Sequence, residues 1–214
     1  MINIEESYLN EFDKIKIDTL IRTIKHAPFT GWSLNTLEIS LKETGNLKHI
    51  EDLFPNGVSD LTNLFSNILD KKLEFDVKNL ELEKNSIRDR IKILLNLRLD
   101  FFSKDKQVVK QIIGSDFLSK NNFNSINRIG NSVDLMWILA GDKSLDYNYY
   151  TKRILLGGIY ITTVLYWLDS DNRDDVSKFI DRRISNIMEF EKIKKNISKI
   201  FKINKLKLPF KYSI

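Results

Sequence analysis

A chain of 214 residues, 42 % hydrophobic and 29 % charged, fits one domain or one domain with a small appendage. That length can bury roughly 70 % of the surface its unfolded chain exposes. The absence of cysteine excludes disulfides, thiolate metal sites and cysteine nucleophiles, and it fits a reducing compartment. The net charge of +5 is a property of one end: from Lys192 onward there are eight lysines and no acid, and subtracting them leaves −3 on residues 1–191. The opening MINIEESYLNEFD is acidic and has neither a secretory apolar stretch nor transit-peptide character. The expected location is cytoplasmic, or matrix after processing.

With three prolines and eight glycines, the chain has few breakers, and apolar residues recur at helical spacing nearly throughout. Ile17, Leu20, Ile21 and Ile24 predict a first helix ending before Pro28. Ser33 is the expected N-cap of a second, with Leu34, Leu37 and Leu41 inward and Gly45 as its stop. A very short third, about residues 47–53, runs into Phe54-Pro55-Asn56-Gly57. A fourth carries Leu61, Leu64, Phe65 and Ile68, and a long fifth carries Ile87, Ile91, Leu94, Leu95 and Phe102. A brief sixth, with Val108, Val109, Ile112 and Ile113, should stop at Gly114. The seventh has Ile126, Ile129, Val133, Met136, Trp137 and Ala140, with Gly141 as cap. The eighth covers about residues 148–168, and the ninth carries Val176, Phe179, Ile180, Ile184 and Ile187. The fold class is all-α.

Three helices with a tight turn between the second and third, then Leu53-Phe54-Pro55 and a longer helix, resemble the head-to-body junction of TetR-type regulators. The predicted architecture is a TetR-like helical bundle with a degenerate helix-turn-helix head (1–56), a ligand-binding and dimerisation body (57–189) and a C-terminal amphipathic helix (190–214). A DNA-reading head needs cations near phosphates. From Ser33 to Gly57 it has only Lys42 and Lys48, against Glu38, Glu43, Glu51 and Asp52. No nucleic-acid partner is therefore expected. The two histidines, His26 and His49, form no metal-binding spacing, and no phosphate-loop, dinucleotide or nucleophile-elbow motif occurs. Asp169-Ser-Asp-Asn-Arg-Asp-Asp lacks the central glycine and closing glutamate of a calcium loop and reads as helix capping. Neither a metal, a cofactor nor an enzymatic site is predicted.

Two stretches ask for a partner. Residues 154–168 carry no charge and are too few to span a bilayer, which takes roughly 20 apolar residues. They must be buried in a core, in a subunit contact or around an apolar ligand. Gly157-Gly158 within them costs about 1 kcal/mol per glycine against alanine, and reads as close helix packing or as room for a ligand chain. The second is the tail, where Phe190, Ile193, Ile197, Ile200 and Phe201 make one helical stripe flanked by Lys192, Lys194, Lys195, Lys199 and Lys202. An apolar stripe with lysine-only flanks suits the interface of an anionic membrane; a docked C-terminal helix and a nucleic-acid tail are the alternatives.

Blocks in sequence order, His26-Ala-Pro-Phe-Thr-Gly-Trp32, Leu53-Phe-Pro-Asn-Gly57, Ile87-Arg-Asp-Arg-Ile91, residues 140–153, Leu165-Tyr-Trp-Leu-Asp169, 179–184 and 188–192, resemble the ubiquinone-biosynthesis accessory family of lipid-binding proteins. The resemblance spans about residues 24–192. It implies a non-enzymatic homodimer, peripheral on the inner membrane (matrix side in eukaryotic relatives), that binds isoprenoid quinone precursors or phospholipid. It further implies that the protein presents a precursor to the di-iron demethoxy-ubiquinone hydroxylase. The family positions for hydroxylase docking fall on Met136, Asp146, Tyr149, Tyr150 and Arg153; relatives often carry Trp in place of Tyr149. Trp137, Ile161 and Leu165 are the expected lipid lining. The rival reading is a ligand-responsive TetR-like regulator.

Overall fold

The computed structural model describes residues 13–118, 122–144 and 147–186. All of the regular structure among them is helical: α1 (Lys14–Thr30), α2 (Leu34–Glu43), α3 (Ile50–Leu53), α4 (Val58–Val77), α5 (Ile87–Phe102), α6 (Lys106–Leu118), α7 (Asn122–Leu139), α8 (Tyr147–Asp169) and α9 (173–186). A single 3₁₀ turn, Leu47–His49, leads into α3.

Local chemistry sets most boundaries. The Asp13 carboxylate accepts from the amides of Ile15 and Lys16, and Ser33 accepts from Thr36, so α1 and α2 open on side-chain caps. α2 closes with Gly45 at φ +73°, the Asn46 amide reaching Leu41 O and the Gly45 amide reaching Lys42 O. α7 ends in the same way around Gly141 (φ +84°), with Asp142 N on Trp137 O and Gly141 N on Ile138 O. Both are the six-to-one and five-to-two bond pair that a left-handed residue allows.

Some expectations are corrected. α1 does not stop before Pro28 but runs through it to Thr30. Proline removes one helical bond, and here, in the last turn, the loss is offset locally by the Thr30 hydroxyl on His26 O and the Gly31 amide on Ala27 O. α6 passes through Gly114 to Leu118, because glycine lowers helix propensity without ending a helix that has no other stop signal. Leu34, expected inward, is exposed in the first turn of α2, and Ile87 and Ile126 are also exposed.

α1 packs on α2 to make the head and also touches α4 and α6; α4 and α7 pack together in the middle of the body, with α8 laid against α7 and α5. One hydrophobic core runs from Ile17 and Leu20 through Trp32 and Phe65 to Val164 and Trp167. Trp32 stitches head to body, its indole N–H donating to the Thr62 hydroxyl at 2.9 Å and its ring tilted against Phe65. No helix among the described residues is long and apolar enough to cross a membrane.

The candidate site: a lined cavity and a buttressed corner

Helices α4 to α8 enclose a cavity of about 360 Å³. Its walls are apolar: Phe65 and Leu69 from α4, Ile112 and Ile113 from α6, Ile129 from α7, Val164 from α8. Volume and lining fall in the range of pockets that bind small organic ligands. Ile161 and Leu165 also line it, as the sequence led us to expect; both are partly exposed, at 39 % and 45 %. Trp137 does not. It stands about 100° around α7 from Met136, facing the start of α8, where its indole donates to Lys152 O at 3.1 Å and the Lys152 ammonium covers the ring.

Polar groups sit in the wall of this cavity. Arg98 is fully buried and donates to Asp70 through Nη1, to Ser132 Oγ through Nη2 (2.9 Å) and to the Tyr160 hydroxyl through Nε (3.3 Å). Ser132 in turn donates to Asp70 at 2.9 Å. Burial works against charge on Arg98, but Tyr160 and Asp70 beside it hold its pKa above the ordinary value. For Asp70 burial wins and raises the carboxyl, against the pull of Arg98 and Ser132. At the rim, Arg128 donates to Asn63, Asp116 and Ser125. Composition and spacing did not reveal this network; an arginine amid Ile91, Leu94, Leu95 and Leu99 was the available signal.

The second feature is the corner between α7 and α8. Tyr149 and Arg153 come together as the i, i+4 spacing requires, the guanidinium lying 3.3 Å over the ring centre. Asp134, one turn back along α7, binds both: Arg153 Nε donates to it at 2.5 Å and the Tyr149 hydroxyl at 3.2 Å. Tyr150 packs edge-on against Tyr149 and is 66 % exposed. Met136 is fully buried, since it shares the core-facing side of α7 with Ile129 and Val133; it supports the corner from beneath and presents no surface. Asp146 lies outside the described residues, as do Phe190, Ile193, Lys194, Lys195, Ile197, Lys199, Ile200, Phe201 and Lys202.

Asp142, next to the glycine cap of α7, is the corner's hub. Its carboxylate accepts from Lys152 Nζ at 2.6 Å, from Ser144 at 2.7 Å and from Arg153 Nη1 at 3.3 Å, with its side chain only 5 % exposed. Burial alone would raise its pKa; the hydrogen bonds from Lys152 and Ser144 and the lysine charge outweigh that and bring it to about 2. Arg153 is likewise held above its ordinary value, burial being overcome chiefly by Asp134. The corner therefore presents the exposed Tyr150 ring on a pre-set, ion-paired base, an aromatic of the kind that dominates binding energy at protein interfaces.

α8 shows a further unpartnered face. Ile154 (75 % exposed), Gly158, Ile161 and Leu165 fall at i, i+4, i+7 and i+11. A Cβ on Gly157 or Gly158 would meet nothing within 4 Å, so these glycines make no close helix contact within this chain. Of the apolar run, Leu156, Ile159, Tyr160, Val164 and Trp167 are buried, and the opposite side is open.

No group of three or more potential metal ligands occurs among the described residues. The COQ9 family model matches residues 123–191, which covers α7, the corner and α8. The chain is 29 % identical over 196 residues to the mitochondrial ubiquinone biosynthesis protein COQ9-B of Xenopus laevis, covering 86 % of this chain and 65 % of that one. It is 25 % identical over 197 residues to the human mitochondrial ubiquinone biosynthesis protein COQ9, covering 60 % of it. The chain thus spans under two thirds of the length of these relatives. Among solved structures, a TetR transcriptional regulator from Nitrosomonas europaea superposes with a TM-score of 0.65 at 17 % identity, over 81 % of this chain and 97 % of that one, so the fold is shared. The family-model match over α7 and α8, with the relatives aligned through most of the chain, makes this protein similar to the COQ9 proteins, and its fold is the TetR-type helical scaffold.

Proposed function

We propose that the chain is a non-enzymatic lipid-binding accessory protein of ubiquinone biosynthesis, which holds the isoprenoid part of a quinone precursor in the α4–α8 cavity. The observation that carries this reading is an apolar cavity inside the body of a protein whose relatives are named for that pathway. Burial of hydrocarbon against such walls contributes about 25 cal/mol per Å². Substituting Ile161→Trp at the cavity mouth is expected to cut co-purifying isoprenoid lipid, measured by mass spectrometry of extracted protein, by about fivefold or more. An unchanged lipid load in this variant would remove the cavity from the assignment.

Presentation of the head group to the demethoxy-ubiquinone hydroxylase is assigned to the corner, with Tyr150 as its exposed anchor. Tyr150→Lys is expected to abolish capture of the hydroxylase while leaving the lipid load intact, since Tyr150 lies outside the cavity lining. Retained capture would move the docking surface elsewhere. Contact with an anionic membrane is assigned to residues 190–214, on the inner membrane and, for mitochondrial relatives, its matrix side. Deleting those residues should eliminate co-flotation with phosphatidylserine or cardiolipin vesicles at low salt; equal flotation of both forms would defeat that part of the reading. The open α8 face suits a subunit contact in a homodimer. The head argues for a protein that does not read DNA: α3 is a single turn, and the exposed Lys42 and Lys48 are outnumbered by Glu38, Glu43, Glu51 and Asp52.

A further inference from the structure

We propose that the cavity takes a ligand bearing a neutral carbonyl oxygen, which the Tyr160 hydroxyl receives with the Arg98 guanidinium behind it. The proposal rests on the reading of the cavity as a lipid site and adds the chemistry of what enters it. A phenol both donates and accepts. The Tyr160 oxygen accepts from Arg98 Nε, and among the described residues nothing accepts its proton. The side chain is 8 % exposed and lines the cavity. The two arginines and Ser132 in the wall are engaged: Arg98 with Asp70 and Ser132, Ser132 with Asp70, Arg128 with Asp116, Asn63 and Ser125.

This pairing also sets the ligand's charge. Each arginine at the cavity has a carboxylate of its own, Asp70 or Asp116, so no cation is left to neutralise a phosphate or a fatty carboxylate in an apolar hollow. A neutral acceptor carries no such penalty. Donation from Arg98 into the Tyr160 oxygen polarises the phenol and strengthens the bond it offers onward. A carbonyl on a long hydrocarbon could be a ring carbonyl of a prenylated quinone or the ester of an acyl lipid, and the probes below separate the two.

Calorimetric titration with diprenyl-1,4-benzoquinone, diprenylbenzene and a fatty methyl ester of matched carbon count tests the proposal. The wild-type chain should bind a carbonyl probe about tenfold more tightly than the hydrocarbon, and Tyr160→Phe should erase that preference. Whichever carbonyl probe gains identifies the source. A preference that survives Tyr160→Phe, or equal affinity of all three probes for the wild type, overturns the proposal and leaves the lipid cavity standing. Failure of every probe to bind overturns both. The carbonyl stretch of the bound probe in the wild-type chain gives a reading independent of the variant's folding: it should move to lower frequency, and an unshifted band overturns the proposal.

Discussion

Arg98→Ala is expected to lower the free energy of unfolding by about 3–5 kcal/mol, because it strands the largely buried Asp70 behind the cavity wall with its counter-charge gone. Three hydrogen bonds disappear together, to Asp70, Ser132 and Tyr160, and the space left by a fully buried side chain adds to the existing hollow. The desolvation cost of such a pair is large, so its net contribution is small compared with the cost of breaking it. The double variant Arg98→Met with Asp70→Leu should therefore recover most of the loss. Urea unfolding of the two single variants and the double variant measures this directly. A loss under about 1 kcal/mol for Arg98→Ala would mean that Asp70 finds water when the arginine is removed.

The second large effect is expected at Asp142. Asp142→Ala should cost about 2–4 kcal/mol, since it removes the acceptor shared by Lys152, Ser144 and Arg153 from a site that is nearly closed to solvent. The damage should be local in structure but not in function. Lys152 and Arg153 lie in the second turn of α8, so their release frees Tyr149 and Tyr150, and hydroxylase capture should fall with stability. The pH dependence has a definite sign. The folded carboxyl titrates at about 2, below its ordinary 3.8, so its contribution is complete above the ordinary value and is lost as pH falls through 2. Thermal scans of wild type and Asp142→Asn should differ by a constant amount above about pH 5 and converge between 4 and 2. Curves that stay parallel through that window would show that the network depends on another residue.

The helices could be read from the sequence because their signals are local. Ser33, Gly45 and Gly141 announce helix ends through backbone chemistry that needs no tertiary context, and the structure uses all three. The all-helical class followed from spacing, whereas Tyr149 and Arg153 entered through the resemblance and only the structure shows them stacked. Sequence reasoning failed where direction matters more than spacing. Met136 and Trp137 are neighbours in the chain, yet one faces the core and the other the start of α8, and only the packing of α8 on α7 decides which. The Arg98–Asp70–Ser132 network joins three helices and so has no linear signature. Asp142 had no signal of its own in the sequence, because its role comes chiefly from side chains ten and eleven residues later. The cavity was inferred from an uncharged run, but one stripe of that run, Ile154, Gly158, Ile161 and Leu165, is exposed instead.

Arg90 ties these levels together. Its guanidinium donates to Ala140 O and Glu83 O, both at 2.9 Å through the two terminal nitrogens, and to Asn85 O at 2.9 Å through Nε. One side chain thus clamps the end of α7 to the connection between α4 and α5, while a Cβ on Gly141 would come within 3.0 Å of the same guanidinium. The 83–85 segment and the end of α7 are consequently tied to one another. A displacement at either is transmitted through Arg90 to α5, whose Arg98 lines the cavity.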